Sequence, residues 1–434
     1  MQDSDVTPLE TSEVSDVPTS GMKQVWTLAL SLSILQIGFG IVIPIFPYYI
    51  VSLHATALDL GMLAASFALT RIVLAGPLGG LSDRVGRKPV MLVALLGFAL
   101  ANIIYAFAPN VLVMVAARSL EGAVSAGFYP AANAYISDVT TIENRGTAMG
   151  YLSMGSMVGF IVGPTMGGIL ADSLGIRIPF IVAALATLGT LVAVYILVYE
   201  TDGVASKRLA MQREKPPIRD VLRTNTRAYS ALGISMFANM FALGILEVAF
   251  TLDAVIRFGI TPTEIGVFFG IMGIVTVFGN IIFGKISDKV GRKWLIVAGS
   301  FIGAFSLYIF MITVDTTGFF VGGIVLGIGM SMRGPTIQAM TADITDESAY
   351  GSIMGLMGAV SNSAYVVGPL LAGTLYDQTG DSIAALGAAI VMSIGGAVVA
   401  SVGLPRHVER KKKSKENPAI LLESENQDSL DSAD

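Results

Sequence analysis

Gly79-Gly80-Leu81-Ser82-Asp83-Arg84-Val85-Gly86-Arg87-Lys88 returns, little altered, as Gly284-Lys285-Ile286-Ser287-Asp288-Lys289-Val290-Gly291-Arg292-Lys293. Asp288 stands 205 positions after Asp83, and the same step carries Gly122 onto Gly327, Pro130 onto Pro335, Asp138 onto Asp343 and Gly146 onto Gly351. It also carries Gly163-Pro164 onto Gly368-Pro369 and Asp172 onto Asp377. Gapless agreement over roughly a hundred residues is the mark of a duplicated structural unit.

The stretches around these landmarks are apolar. Of 434 residues 53% are hydrophobic and only 14% charged, with a mean hydropathy of +0.70. A soluble domain carries about a quarter charged residues, so the composition points to lipid as the solvent. A membrane-spanning helix needs roughly 20 mainly apolar residues. Breaks at Gly, Pro and charge divide the chain into helices at 24–53, 59–82, 90–108, 110–137, 146–172, 178–199, 228–257, 263–287, 294–314, 317–342, 350–376 and 381–404, numbered 1 to 12. Joints as short as Ala108-Pro109-Asn110 make neighbours antiparallel. The expected fold is therefore an all-α membrane protein with twelve spans in two pseudo-symmetric six-helix bundles, 23–199 and 228–404. A polar, basic linker at 200–227, containing Pro216-Pro217, separates them, and tails occupy 1–22 and 405–434. Asp3, Asp5, Glu10, Glu13 and Asp16 make the first tail acidic, and the end of the second resembles it; both read as disordered. The start lacks the basic-then-apolar order of a cleaved leader, so the first helix is expected to stay. Cysteine is absent, which excludes disulfides and thiolate metal sites.

Sidedness follows from Lys and Arg, which concentrate in cytoplasmic loops. With the N-terminus inside, all but Arg71, Arg118, Arg177, Arg257 and Arg333 of the 27 fall on the cytoplasmic side, including the run from Arg406 to Lys415. Both termini are thus expected in the cytoplasm, in a cell (plasma or inner) membrane.

The loop motif between helices 2 and 3, repeated between helices 8 and 9, resembles the signature of the major facilitator superfamily. The resemblance covers nearly the whole helical length and implies a secondary transporter working by alternating access, with helices 1, 4, 7 and 10 around a central cavity. It implies roles for Gly80, Asp83, Arg84, Gly86, Arg87 and Asp138, and by the repeat for Asp288, Gly291, Arg292 and Asp343, in a cytoplasmic gate. Gly86 suits a tight turn. Arg87 is expected to pair with Asp138, and Arg292 with Asp343. When the protein opens outward, Asp83 would face the start of helix 11 near Tyr350 and Asp288 the start of helix 5 near Gly146, where helix dipoles favour a carboxylate.

Helix 5 carries Gly155, Gly159, Gly163-Pro164 and Gly167-Gly168, a string that resembles the signature of the family's exporting, antiporting, multidrug-efflux branch. Glycines four apart also make a flat packing groove, and Pro164 removes a backbone donor. Helix 1, Gly38 to Pro47, resembles that of drug exporters, with Gln36 as its main polar residue.

Ionisable groups at membrane depth are costly and default candidates for function. Arg118 and Glu121 lie one turn apart on helix 4, and Glu247 lies on helix 7. At ~1.5 Å per residue, all three lie about 12–16 Å below the outer helix ends. Arg118-x-x-x-Gly122 matches the family motif associated with proton coupling, whereas Glu121 stands where an amide is common. Proton carriage then rests on Glu121 or Glu247, or else Arg118–Glu121 is a static pair. Arg333 on helix 10 is a candidate for contact with anionic substrate or the inner gate. Arg71 is read as a structural brace, and Asp253 and Arg257 as interfacial.

The expected function is proton-coupled export of lipophilic or cationic drug-like compounds, driven by the proton gradient without a cofactor. Alternatives are a sugar, metabolite or lipid carrier of the same fold, or a receptor that does not transport. Nucleophile–base pairs, metal clusters and nucleotide loops are missing from the sequence, so an enzyme is not expected. The expected partners are a small-molecule substrate, protons and the bilayer, with no nucleic acid, and the chain is expected to be a monomer.

Overall fold

The computed structural model describes residues 19–200 and 217–405. The acidic tails, most of the linker including Pro216, and the basic run from Arg406 to Lys415 lie outside the described residues. Among the described residues, twelve helices are long and apolar enough to cross a membrane. In chain order they are α1 (Thr19–Ser52), α2 (Ala57–Val85), α3 (Arg87–Phe107), α4 (Val111–Val139), α5 (Ile142–Leu174), α6 (Ile178–Leu197), α7 (Thr226–Ile256), α8 (Pro262–Val290), α9 (Arg292–Ile312), α10 (Thr316–Ile344), α11 (Glu347–Thr379) and α12 (Ile383–Gly403). A seven-residue helix, Ile218–Thr224, precedes α7. No strand occurs among the described residues.

The duplication extends to how the helices are started and stopped. Thr56 and Asp59 form a capping box at the start of α2, and Thr261 and Glu264 form its counterpart at α8. Asn110 caps α4 through Val113 N at 3.0 Å, and Asp315 caps α10 through Gly318 N at 2.9 Å. Between α2 and α3 the chain turns on Gly86 at φ 111°, and between α8 and α9 on Gly291 at φ 98°, a region closed to most side chains. All these partners stand 205 residues apart.

Packing repeats as well. In the first half α1 packs on α5 and α6, α4 on α2 and α3, and α3 on α6; in the second α7 packs on α11 and α12, α10 on α8 and α9, and α9 on α12. The halves meet through α2 against α11 and α5 against α8, an exchange that preserves the two-fold relation. Side chains such as Leu112, Phe278 and Val391 point outward, as lipid contact requires.

The core is not uniform along the membrane normal. Away from the basic joints one apolar cluster runs through both halves, from Phe46 and Tyr105 to Phe250 and Phe319. Toward the basic joints it splits in two: one cluster around Leu28, Phe98 and Tyr135 in the first half, another around Tyr229, Ile296 and Ile353 in the second. The halves share a core at one face of the membrane and part at the other.

Candidate functional site

The buried charges meet where the halves are joined. Arg118 Nη1 lies 2.8 Å from Glu121 Oε2, and both residues are fully buried. Tyr105 of α3 donates its hydroxyl to the same carboxylate oxygen at 3.0 Å. Tyr49 of α1 braces this strut by donating to the carbonyls of Tyr105 (3.0 Å) and Ala108 (3.1 Å). The rings of Phe39, Phe46 and Phe67 stand 4.9, 5.5 and 4.7 Å from the guanidinium carbon of Arg118 and box it with π faces. Gly122 makes the box possible: a Cβ there would lie 3.0 Å from Phe67 Cα, so only a glycine lets α2 come this close to α4. That is a local reason for the Arg118-x-x-x-Gly122 spacing. Arg118 Nε and Nη2 and Glu121 Oε1 have no hydrogen-bond partner among the described residues.

Glu247 of α7 is the third charge, close enough to Arg118 for the two to interact electrostatically. It sits in a π-helical turn, Leu246–Phe250, that interrupts α7. Such turns insert one residue into the helical ladder and recur at functional sites. The Glu247 side chain is half-buried, and no hydrogen bond or ion pair engages its carboxyl among the described residues. Arg118, Glu121 and Glu247, expected at one depth, are brought together; Glu121 is tied down and Glu247 is not.

Gln36 of α1 accepts a hydrogen bond from Tyr129 of α4 at 2.7 Å, and Arg71 lies over the Tyr129 ring at 5.6 Å, a bracing role. Arg333 is 2% exposed and packs inside the second half against Gly299 and Gly303 of α9. Asp253, read as interfacial, is buried. It accepts from Arg257 Nη1 (3.0 Å), Tyr376 Oη (3.1 Å) and Ser382 Oγ (2.6 Å) and so ties α7 to α11 and α12. Its position near a helix end hid this in the sequence.

At the face carrying the basic joints, Arg87 Nε lies 3.7 Å from Asp138, and Arg292 Nε lies 2.9 Å from Asp343, the two pairs the motif implied. Asp83 pairs with Arg87 and is otherwise largely exposed. Asp288 stands 4.0 Å from Arg292. A Cβ added at Gly80, Gly146, Gly284 or Gly351 would meet nothing within 4 Å, so the ends of α2, α5, α8 and α11 stand clear of one another here. Among the described residues no hydrogen bond or ion pair joins Asp83 to α11 in this state. Glu200, unremarked in the sequence, accepts from Arg87 N (2.8 Å) and Lys88 N (3.1 Å) and caps α3.

The opposite face is shut by glycine-to-backbone approaches and by two carboxylates. A Cβ at Gly163 would lie 2.7 Å from Ile37 O, and one at Gly167 2.8 Å from Ile41 Cα, so the glycine string seats α5 on α1; Gly159 meets Gln36 in the same groove. Gly168 packs on Pro262 and Gly266 on Pro164, joining α5 to α8. Asp172 accepts from Thr263 N at 2.8 Å, and Asp377 accepts from Ala57 N at 2.8 Å and Leu58 N at 3.0 Å. Each carboxylate caps the first turn of a helix in the other half, where the dipole is favourable.

Comparison with known proteins agrees with this architecture. The sequence profile of the Major Facilitator Superfamily matches residues 28–246 and 232–427. The chain is 29% identical over 359 residues to Multidrug resistance protein 2 of Bacillus subtilis, covering 82% of this chain and 89% of that one. It is 26% identical over 396 residues to the quinolone resistance protein NorA of Staphylococcus aureus, covering 90% and 99%. Among solved structures, a bacterial homologue of the human lysosomal transporter Spinster, inward-facing and unoccupied, superposes with a TM-score of 0.71 at 16% identity, covering 89% of this chain and 95% of that one. The human organic anion transporter MFSD10 gives 0.63 at 17% identity, covering 88% and 99%. With the duplicated loop motif, the paired six-helix halves and a family match spanning nearly all twelve helices, this chain belongs to the Major Facilitator Superfamily of membrane transporters.

Proposed function

We propose that this transporter exports lipophilic, cationic drug-like compounds in exchange for protons, with Glu247 as the proton carrier and Arg118–Glu121 as a fixed electrostatic partner. The observation that carries the reading is the unequal state of the two carboxylates. Glu121 is held by Arg118 and Tyr105. Glu247 has no such hold and stands beside a guanidinium with two nitrogens unpartnered. An ionised Glu247 can attract either Arg118 or a cationic substrate, and a protonated one attracts neither strongly, so proton and cargo compete for one group. Competition for a single carboxyl is the minimum chemistry of antiport.

The basic joints support a cytoplasmic parted face by the positive-inside rule, and on that reading the described state is inward-open. In that state Glu247 would be loaded from the cytoplasm. The glycine string of α5 and the names of the multidrug- and quinolone-resistance relatives support export. A groove between α7 and α11 toward the basic face, of about 430 Å³ and lined by Tyr229, Ile234, Phe237, Leu356, Met357 and Val360, is apolar enough for lipophilic cargo.

The test is efflux of a fluorescent lipophilic cation from cells expressing the protein, with and without a protonophore. Efflux abolished by the protonophore and by Glu247→Gln, in protein that still reaches the membrane, is the expected result. Efflux that survives the protonophore contradicts proton coupling, and a lack of efflux for cations alongside transport of neutral sugars contradicts the substrate class.

A further inference from the structure

Arg333 is a fully buried cation placed inside one half of a membrane protein, and its surroundings are built for it. Its aliphatic stem lies along α9 in a notch of two glycines one turn apart. A Cβ at Gly299 would come within 2.8 Å of Arg333 Cγ, and one at Gly303 within 2.8 Å of Nη2. Its Nε donates to the carbonyl of Gly329 at 3.2 Å. No carboxylate is in ion-pair reach of Arg333 among the described residues, and no neighbouring charge compensates it. Leaving a charge uncompensated at this depth is costly, so the geometry calls for a counter-charge.

Beside the guanidinium is a cavity of about 10 Å³, bordered by α7, α9, α10 and α12 and lined by Arg333, Asn239, Ser393, Gly303, Leu307 and Met330. That is room on the scale of one water molecule or a small ion. Ser393 is 1% exposed, and its hydroxyl has no partner. The three polar groups at the cavity can each supply a hydrogen-bond donor: guanidinium, amide and hydroxyl.

The duplication supplies an internal control. Stepping back 205 positions from Arg333, Asn239 and Ser393 gives Phe128, Ile34 and Leu188, all apolar. Gly303 becomes Phe98, so the first half fills with rings the volume that the second leaves to the arginine and its cavity. Three polar replacements converging on one void are not required by the fold, because the first half folds without them.

We infer that the cavity bounded by Arg333, Asn239 and Ser393 binds a small monovalent anion of the chloride class as the buried counter-ion of Arg333. A water molecule would satisfy hydrogen bonds but leave the charge. A phosphate, sulfate or carboxylate-bearing metabolite exceeds the void. Slight displacement of Met330, a flexible side chain, accommodates the difference in radius between water and a halide. The site is separate from the Arg118–Glu121–Glu247 cluster and does not depend on how that cluster works.

Two measurements test it. Crystals of the full chain grown in bromide are expected to show an anomalous peak in the cavity, within hydrogen-bonding distance of the Arg333 guanidinium. A cavity without bromide, holding water only or nothing, overturns the inference regardless of any variant. In solution, thermal unfolding of the detergent-solubilised protein should shift upward and saturate as gluconate is replaced by chloride at constant ionic strength. Asn239→Ile with Ser393→Leu, which copies the first half, should abolish that shift; a wild-type protein indifferent to chloride, or a double variant that keeps the full shift, contradicts the site.

Discussion

The carboxylate of Asp377, at the end of α11, accepts hydrogen bonds from the amides of Ala57 and Leu58, at the start of α2 in the other half. Asp172 does the same for Thr263 at the start of α8. These caps hold the shut face in the described state, and an analogous cap by Asp83 on α11 is expected when the basic face shuts. Opposed caps of one kind make a balance that single neutral substitutions should tip in opposite directions. Each cap contributes about 0.3–1 kcal/mol at an exposed helix start. Asp377→Asn should move the population roughly two- to fivefold toward the outward-open state, and Asp83→Asn should move it the other way. The absence of native cysteine leaves a clean background for paired spin labels across the outer face, whose distance distribution reads the balance directly. Shifts of the same sign in both variants would refute the account of the gates.

Glycines that look alike in the sequence should differ sharply in tolerance. A Cβ at Gly163 would lie 2.7 Å from Ile37 O and 3.0 Å from Gly40 Cα, both backbone atoms that cannot step aside. Gly163→Ala is expected to lower thermal stability by about 1–3 kcal/mol through overpacking. Gly146→Ala, on the parted face with nothing within 4 Å, should be neutral or slightly stabilising in the state described. A melting series on the two variants checks the contrast.

Tyr105 fixes Glu121 through one hydroxyl inside a dry region. Tyr105→Phe keeps the ring against Phe46 and Phe180, 5.4 Å from each, and removes only that donor. The loss should be about 1.5–3 kcal/mol of stability, as expected for a buried bond to a charged acceptor. Drug export should persist, because Glu121 keeps Arg118. Abolished proton coupling in this variant would move the carrier role from Glu247 to Glu121.

Much of this was legible because duplication exposes what is shared. Apolar length and its breaks marked the twelve spans, the family resemblance implied the pair Arg87–Asp138, and the 205-residue step carried that pair onto Arg292–Asp343 and the turn at Gly86 onto Gly291. The step also marked Asp172 and Asp377, but their role depends on which face is shut, and that is a property of the assembled halves. The π turn beneath Glu247 leaves no pattern in residue types, because a single inserted residue is invisible in an all-apolar helix. The packing of Arg333 was hidden for a related reason. Its surroundings are made by Gly299 and Gly303 on another helix, and no spacing along α10 reports them. The capping boxes Thr56–Asp59 and Thr261–Glu264, by contrast, are local and legible in residue type and spacing alone.

The central claim, proton exchange at Glu247, is tested most directly in proteoliposomes carrying a pH indicator inside. Adding a lipophilic cation to wild-type vesicles should drive proton movement opposite to cargo. Glu247→Gln should abolish that movement while still exchanging labelled for unlabelled cargo with no gradient. Proton movement at the wild-type rate in Glu247→Gln, alongside intact exchange, would contradict the account.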